Sequence, residues 1–106
     1  VIGFYRWMEG ANFNHEYYSA EHMRLTQEAL APHGLLRLES DRYISTRPPL
    51  AGEIIAASNA YFPSFEIAQA AMAAAGAALI ADVPNYTNLK PEIRLCIVTT
   101  HSFDVI

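Results

Sequence analysis

Residues 54–72 read IIAASNAYFPSFEIAQAAM, and this junction of a strand and a helix decides the fold. β-Branched, small and aromatic residues predict a strand over 54–62. Pro63 and Ser64 end the strand, and Ser64 is a good N-cap for the helix that follows. The apolar residues of that helix recur at helical spacing and form its predicted buried stripe: Phe65, Ala68, Met72, Ala75 and Leu79.

Four further segments complete the order of elements. Residues 1–7 and 35–44 are predicted strands, and residues 92–100 are the last predicted strand. Residues 15–31 are a predicted helix, with Asn14 as its N-cap and Gly34 as its left-handed C-cap. The resulting order β-α-β-β-α-β predicts an α+β, ferredoxin-like fold with a four-stranded antiparallel sheet.

Two of the predicted strands are apolar on both sides. The strand over 54–62 carries Ile54, Ala56, Ala60 and Phe62 on one side and Ile55, Ala57 and Tyr61 on the other. The strand over 92–100 likewise sets Ile93, Leu95 and Ile97 against Cys96 and Val98. Two helices cover only one face of a sheet, so we expect a second copy to cover the other face. The sequence therefore predicts a homodimer that packs through its sheets.

Length and composition narrow the class of protein. The chain has 106 residues, which suits one domain over residues 1–106. The net charge is −4 and the seven cationic side chains are scattered, which argues against a nucleic-acid surface. Nothing in the sequence suggests secretion, so we expect a cytoplasmic protein.

Two local features have simple interpretations. The single cysteine, Cys96, excludes an internal disulfide and a cysteine-rich zinc site, and its apolar neighbours predict a buried strand position. The apolar run over 67–81 is shorter than the ~20 residues of a membrane-spanning helix. We therefore expect a helix of a soluble core and no membrane contact.

Residues 17–25, YYSAEHMRL, contain the strongest functional candidate. Tyr18 and His22 are four residues apart, which places them on one helix face together with apolar residues. An imidazole there is either a core residue or an acid–base group in a pocket, because it gains and loses a proton near neutral pH. Tyr18 would orient the imidazole or bind a substrate oxygen.

Three stretches together resemble the EthD family. NHEYYSAEHMRL is similar to its Asp-Tyr-Tyr…His-Met-Pro-Leu pattern, and AYFPSFEIAQAAM to its strand-to-helix junction. ADVPNYTN with KPEI is similar to its Ala-Asp-Ile-Pro-Asn-Tyr-Thr segment. The resemblance spans nearly the whole chain. It implies a dimeric α/β barrel, in which two ferredoxin-like subunits join their sheets.

The resemblance implies less about the reaction. Members are linked to ether degradation, relatives act as lactone isomerases or as dehydratases and cyclases on aromatic polyketides, and many are labelled reductases. Two positions depart from the pattern: Arg24 stands where the family often has proline, and Ala75 where many members have a second histidine. The chain thus either lacks that activity or relies on His22 alone.

The remaining candidates have structural alternatives. Asp82 and Tyr86 belong to a turn in which Pro84 and Asn85 fix the backbone, yet the Asp82 carboxylate could also reach a histidine. The catalytic candidates are therefore His22, Tyr18 and Asp82. Polar or aromatic residues of the strands and this turn suit either packing or substrate binding: Tyr5, Trp7, Asn59, Tyr61 and Tyr86.

No cofactor is expected. The four histidines lack a spacing that defines a metal site, and the five glycines form no phosphate-binding loop. The leading hypothesis is a small homodimer that binds an apolar or aromatic, oxygen-bearing metabolite. His22 would catalyse its isomerisation, dehydration or cyclisation by acid–base chemistry. The alternatives are a non-catalytic ligand-binding protein of a degradation pathway and a haem-binding dimeric barrel.

Overall fold

Four antiparallel strands form one sheet in the order β2–β3–β1–β4. The computed structural model describes residues 1–104; residues 105 and 106 of the predicted domain lie outside the described part. The strands are β1 (Ile2–Arg6), β2 (Arg37–Arg42), β3 (Ile54–Tyr61) and β4 (Glu92–Arg94). The ferredoxin-like α+β fold is confirmed, and the first three strands lie within two residues of their predicted bounds.

The first helical segment covers residues 15–33 and changes its winding along its length. It comprises α1 (His15–Tyr17), a π-helical turn (Tyr18–His22), α2 (Met23–Leu30) and a 3₁₀ turn (Ala31–His33). The predicted ends are confirmed. The Asn14 side chain accepts a hydrogen bond from the Tyr17 amide, and Gly34 has a left-handed φ of +93°.

The second long helix, α3 (Phe65–Asp82), continues into a 3₁₀ turn (Val83–Asn85). Ser64 caps it as predicted, and three members of the predicted stripe are buried: Ala68, Ala75 and Leu79. The prediction for Phe65 is wrong, since its side chain is 45% exposed at the first turn of the helix. Met72 is half-buried.

The helix is longer than the apolar run of residues 67–81, so its length does not exclude a membrane span. The helical region from Phe65 to Asn85 has 21 residues and is long and apolar enough, by length and composition, to cross a bilayer. One such helix is weak evidence, because the core helix of a soluble protein passes the same test. Here the helix packs its small residues on α2 and the sheet. Absence of membrane contact stays a prediction.

The last strand is shorter than predicted. β4 ends at Arg94, where the ladder with β1 ends at the Ile2–Arg94 pair. Residues 95–100 lie beyond the end of β1 and form no ladder, although their sequence alternates. The prediction of a buried Cys96 is consequently wrong, and the cysteine is exposed. Ile97 is 85% exposed in the same segment.

The two faces of the sheet differ in their cover. On the inner face, two hydrophobic clusters join the sheet to the helices through residues such as Tyr5, Ala56 and Ala60. On the outer face, Phe4 and Ala57 pair across β1 and β3 and are buried, and the guanidinium groups of Arg6 and Arg94 lie near the Phe4 ring. Arginine side chains thus shield part of the outer face within one chain.

Candidate active site

His22 lies at the end of the π-helical turn and faces the sheet, with 6% of its surface exposed. Its ring stacks on Tyr18, with ring centroids 5.5 Å apart and planes 14° apart. The prediction that the two residues share a face is confirmed. Phe13, directly before the N-cap, packs edge-on against Tyr18 with ring centroids 5.2 Å apart and holds the start of the helix.

The Asp82 carboxylate fixes one side of the imidazole. Its Oδ2 lies 2.9 Å from His22 Nδ1, although the two residues are 60 positions apart in sequence. Oδ1 accepts hydrogen bonds from the Tyr17 hydroxyl at 3.0 Å and the Asn85 amide at 2.8 Å. Burial raises the pKa of Asp82, but the hydrogen bonds from Asn85, His22 and Tyr17 outweigh it and hold the pKa below its ordinary value. The alternative in which this carboxylate reaches a histidine is the one observed.

The ionised Asp82 also selects the tautomer of neutral His22. A carboxylate only accepts hydrogen bonds, so Nδ1 carries the proton and Nε2 keeps its lone pair. Nε2 lies 3.3 Å from the Tyr86 hydroxyl, which is also hydrogen-bonded to the Tyr5 hydroxyl. Burial raises the pKa of Tyr5 and of Tyr86 above the ordinary tyrosine value, so both hydroxyls stay protonated near neutral pH.

A cavity of about 60 Å³ lies between the helices and the inner face of the sheet. His22, Tyr5 and Tyr18 line it, together with the hydroxyls of Thr26 and Ser58, and apolar side chains supply most of the remaining wall. Burial raises the pKa of Tyr18, which keeps this hydroxyl neutral as well. A cavity that admits benzene has about 150 Å³, so an aromatic ring enters only if the wall moves.

The structure brings some predicted site residues together and places others elsewhere. Tyr5 lines the cavity, and Tyr86 lies behind it between His22 and Tyr5. Trp7 packs against the buried cluster that contains Tyr5, Tyr18 and Tyr86. Asn59 and Tyr61 are on the outer face, where they donate hydrogen bonds to Asp41 and Glu39 of β2.

Four residues of the site were not predicted. Thr26 donates a hydrogen bond to the His22 carbonyl at 2.7 Å, and Ser58 contributes a hydroxyl to the wall. Tyr17 and Asn85 hold Asp82, as described above. Thr26 follows His22 by four residues and Asn85 follows Asp82 by three, so helical spacing could have indicated both. Tyr17 carried no such signal toward Asp82.

Comparison with solved structures identifies the fold. An EthD-like protein from Ralstonia eutropha JMP134 superposes with a TM-score of 0.71 at 25% identity, over 88% of this chain and 85% of that one. The chain has the EthD-like fold. An EthD family protein from Bacillus halodurans C-125 has a TM-score of 0.52 at 19% identity, over 89% of this chain and 95% of that one. No protein-family model and no curated protein matches the sequence.

The EthD resemblance seen in the sequence is thus confirmed at the level of the fold. Within that fold, Ala75 lies in the core cluster with Leu30 and Leu79 and is not part of the cavity wall. Arg24 is on the solvent side of α2 and pairs with Glu21 and Glu28. Across residues 1–104, no three His, Cys, Asp or Glu side chains are grouped closely enough to hold a metal ion.

Proposed function

We propose that this protein binds a small, apolar, oxygen-bearing molecule and transfers protons on it without a cofactor, with His22 as the acid–base group. The observation that carries the proposal is the position of His22. Its Nδ1 is held by Asp82 at 2.9 Å while the ring lines an apolar cavity. A buried imidazole is suited to general acid–base catalysis when its tautomer is fixed and a carboxylate stabilises its charged form.

The two sides of the imidazole have different tasks in this proposal. Nε2 accepts a proton from the ligand once the Tyr86 hydroxyl, 3.3 Å away, turns from it, because Nδ1 is engaged by Asp82. The carboxylate then stabilises the imidazolium that results, which lowers the barrier to proton abstraction. Tyr18 stacks on the ring and limits its rotation. The reaction class is isomerisation, dehydration or cyclisation through proton transfer.

The test uses a probe of matching size. A cavity of about 60 Å³ has room for about four non-hydrogen atoms, and acetone has that size. The protein should accelerate exchange of the acetone methyl protons in D₂O, measured by proton NMR. His22→Gln should slow this exchange by at least about 100-fold. His33→Gln, at an exposed turn, is the matched control and should keep the wild-type rate.

The second candidate function is ligand binding without turnover. Ala75 favours it, because the resemblance places a second histidine at this position in many relatives, and Ala75 has no acid–base group to offer. Acetone that binds in saturation-transfer NMR while its protons do not exchange would establish this function. Exchange that His22→Gln leaves unchanged would contradict the catalytic assignment.

The haem alternative does not fit the arrangement of His22. Both ring nitrogens have partners, Asp82 and Tyr86, so iron ligation would require one of these contacts to break. The cavity of about 60 Å³ is also far below the ~300 Å³ at which pockets begin to hold drug-sized ligands. His22 is therefore not arranged as a haem ligand.

We also propose that two copies associate through the outer faces of their sheets. The predicted barrel of the EthD resemblance supports this, and so does the composition of β3, which is apolar on both sides. Phe4 and Ala57 form an apolar centre on the outer face, and Asn59 and Tyr61 lie beside it. Such a face, apolar in the middle and polar around it, is typical of an interface between subunits.

A further inference from the structure

The hydroxyl groups of Tyr5 and Tyr86 form a chain of hydrogen bonds that connects His22 to the cavity. Tyr86 lies between the other two residues and bonds to both, while Tyr5 lines the cavity. We propose that this Tyr5–Tyr86–His22 relay reverses its direction when His22 gains or loses a proton, and that the site therefore takes a neutral ketone and its enol as its two ligand forms. The inference deepens the proposed function and rests on it.

The first direction of the relay follows from neutral His22. The Nδ1 proton is donated to Asp82, so Nε2 accepts a hydrogen bond from the Tyr86 hydroxyl. The Tyr86 oxygen then accepts from the Tyr5 hydroxyl. Tyr5 is left with a lone pair for the cavity, and a lone pair matches a ligand that donates a hydrogen bond, such as an enol.

The second direction follows from charged His22. Both ring nitrogens of an imidazolium donate, so Nε2 donates to Tyr86, and Tyr86 donates to Tyr5. The Tyr5 proton then points to the cavity and matches a ligand that accepts a hydrogen bond, such as a ketone. Asp82, Tyr86 and Tyr18 are the titratable groups packed against the ring, and the two tyrosines are neutral near pH 7.

Conversion of the enol to the ketone uses both directions in one balanced step. The enol proton passes to Tyr5, the Tyr5 proton to Tyr86 and the Tyr86 proton to His22 Nε2. The Nε2–H of the imidazolium then leaves the Tyr86 oxygen and gives its proton to the neighbouring ligand carbon, where a C–H bond forms as the enol O–H bond is broken. Each tyrosine ends with one proton, His22 ends neutral, and no oxidant or reductant takes part.

The cavity wall restricts the ligand to an uncharged one. Within the part of the chain that the structure describes, no Lys or Arg side chain lines this cavity. Asp82 lies directly behind His22 and would repel an anion. A carboxylate or phosphate would therefore enter without a cationic side chain to replace its water, which is costly. A small neutral carbonyl compound has no such cost.

In this scheme Tyr5 contacts the ligand, and Tyr86 passes the proton between Tyr5 and His22. Tyr5→Phe and Tyr86→Phe remove one hydroxyl each and keep the rings, so both variants should fold. Each should lower the rate of acetone proton exchange in D₂O by about 100-fold. Tyr43→Phe, an exposed tyrosine of the loop after β2, is the matched control and should keep the wild-type rate.

A second readout does not depend on catalysis. The ¹⁵N resonance of His22 Nε2 reports its hydrogen bond, and Tyr5 bonds to Tyr86 rather than to His22. Tyr5→Phe should nevertheless shift this resonance beyond the change seen in Tyr43→Phe, because Tyr86 loses its partner. A tyrosine with only a packing role would leave the resonance unchanged.

The two readouts separate the relay from the proposed function. If His22→Gln loses exchange while Tyr5→Phe keeps it, the relay is overturned and the acid–base role of His22 stands. If the wild-type protein exchanges no acetone protons, the proposed function fails for ketones, and the relay is then judged by the Nε2 resonance alone. If Tyr5→Phe does not shift the ¹⁵N resonance of His22 Nε2, the relay is overturned in either case.

Discussion

Asp82 shows how a single carboxylate can serve both the fold and the proposed chemistry. It is the last residue of α3, where the negative end of the helix dipole opposes a negative side chain. Three donors, from Tyr17, His22 and Asn85, offset this repulsion. The same contacts tie the first helical segment to α3 and set the His22 tautomer. The structural and catalytic interpretations of Asp82 are therefore not alternatives.

Asp82→Asn should remove a stability contribution that depends on pH. Because the pKa of the folded carboxyl is lowered, the contribution is present above the ordinary value near 4 and is lost as the pH falls through the folded value. We expect a loss of about 1–3 kcal/mol in the free energy of unfolding at neutral pH. Urea unfolding at about pH 6 and about pH 2 measures it.

The exposed Asp104→Asn is the control for the charge change. It should leave the urea midpoint unchanged at both pH values. If Asp82→Asn lowers the free energy of unfolding by the same amount at neutral and acidic pH, the proposed ionic contribution is contradicted. At acidic pH the wild-type carboxyl is protonated, so the ionic part of the loss should have disappeared.

Met72 sets the size of the cavity. It is half-buried in the wall, and its Cε would lie 3.5 Å from a Cβ placed at Gly76. Met72→Ala should enlarge the cavity and admit cyclohexanone, at a cost of up to about 2 kcal/mol in stability. Saturation-transfer NMR with cyclohexanone and acetone measures the change. The exposed Leu36→Ala is the control, and equal binding of cyclohexanone in both variants would contradict this role.

At the scale of elements, the π-helical turn positions the site. It allows Tyr18 and His22 to share a buried face while Met23 and Thr26 are also buried. π-Helical turns often arise where one extra residue is inserted into an α-helix, and they are frequent at functional sites. The extra residue in the turn thus rotates α2 about the helix axis relative to α1.

Deletion of Ala20, an exposed residue of this turn, should restore α-helical winding. The downstream helix would then rotate by about 100° relative to α1, so Tyr18 and Met23 could not both remain buried. We expect a loss of at least about 2 kcal/mol in the free energy of unfolding and loss of the His22–Asp82 hydrogen bond. Chemical denaturation and the His22 ¹⁵N resonances measure these changes. Ser19→Ala is the control, and a deletion variant with unchanged His22 resonances would contradict the role of the turn.

Local sequence patterns predicted where helices begin and end better than they predicted which residues pair between strands. The caps at Asn14, Gly34 and Ser64 depend on residues a few positions away, and all three predictions are confirmed. The extent of β4 depends on where its ladder with β1 stops, at the Ile2–Arg94 pair, which the alternation of residues 92–100 does not encode. The π-helical turn was also missed, since its residues continue an ordinary helical spacing.

The same limit applies to the site. The four-residue spacing of Tyr18 and His22 was sufficient to place them together. The Asp82 contact crosses 60 residues and the Tyr5–Tyr86 contact crosses 81, so both depend on how the helices pack on the sheet. Asn59 and Tyr61 were candidates for either packing or substrate binding by residue type alone, and the alternation of β3 places them on the outer face.

At the scale of the whole molecule, the outer face of the sheet tests the proposed dimer. Light scattering should give twice the mass of one chain. Asn59→Arg places a cation beside the apolar centre of this face, where Asp41 and Glu39 can pair with it in a single chain. Burial of that charge between two sheets is costly, so the variant should be monomeric.

Gln27→Arg, on the solvent side of α2, is the control and should remain dimeric. Wild-type protein that scatters as a single chain at every concentration would contradict the dimer. An Asn59→Arg dimer of wild-type stability would place the interface elsewhere on the surface.

The central position of β1 has a consequence for synthesis. β1 precedes the other three strands in the sequence, yet Ile2 pairs with Asn59 on one side and Arg94 on the other. At a ribosome that adds about 5–20 residues per second, β1 waits several seconds for its neighbours. The β2–β3 hairpin can form earlier, because its partners are close in sequence. His22 meets Asp82 and Tyr86 only after most of these residues have emerged, so the proposed acid–base site is among the last features to form.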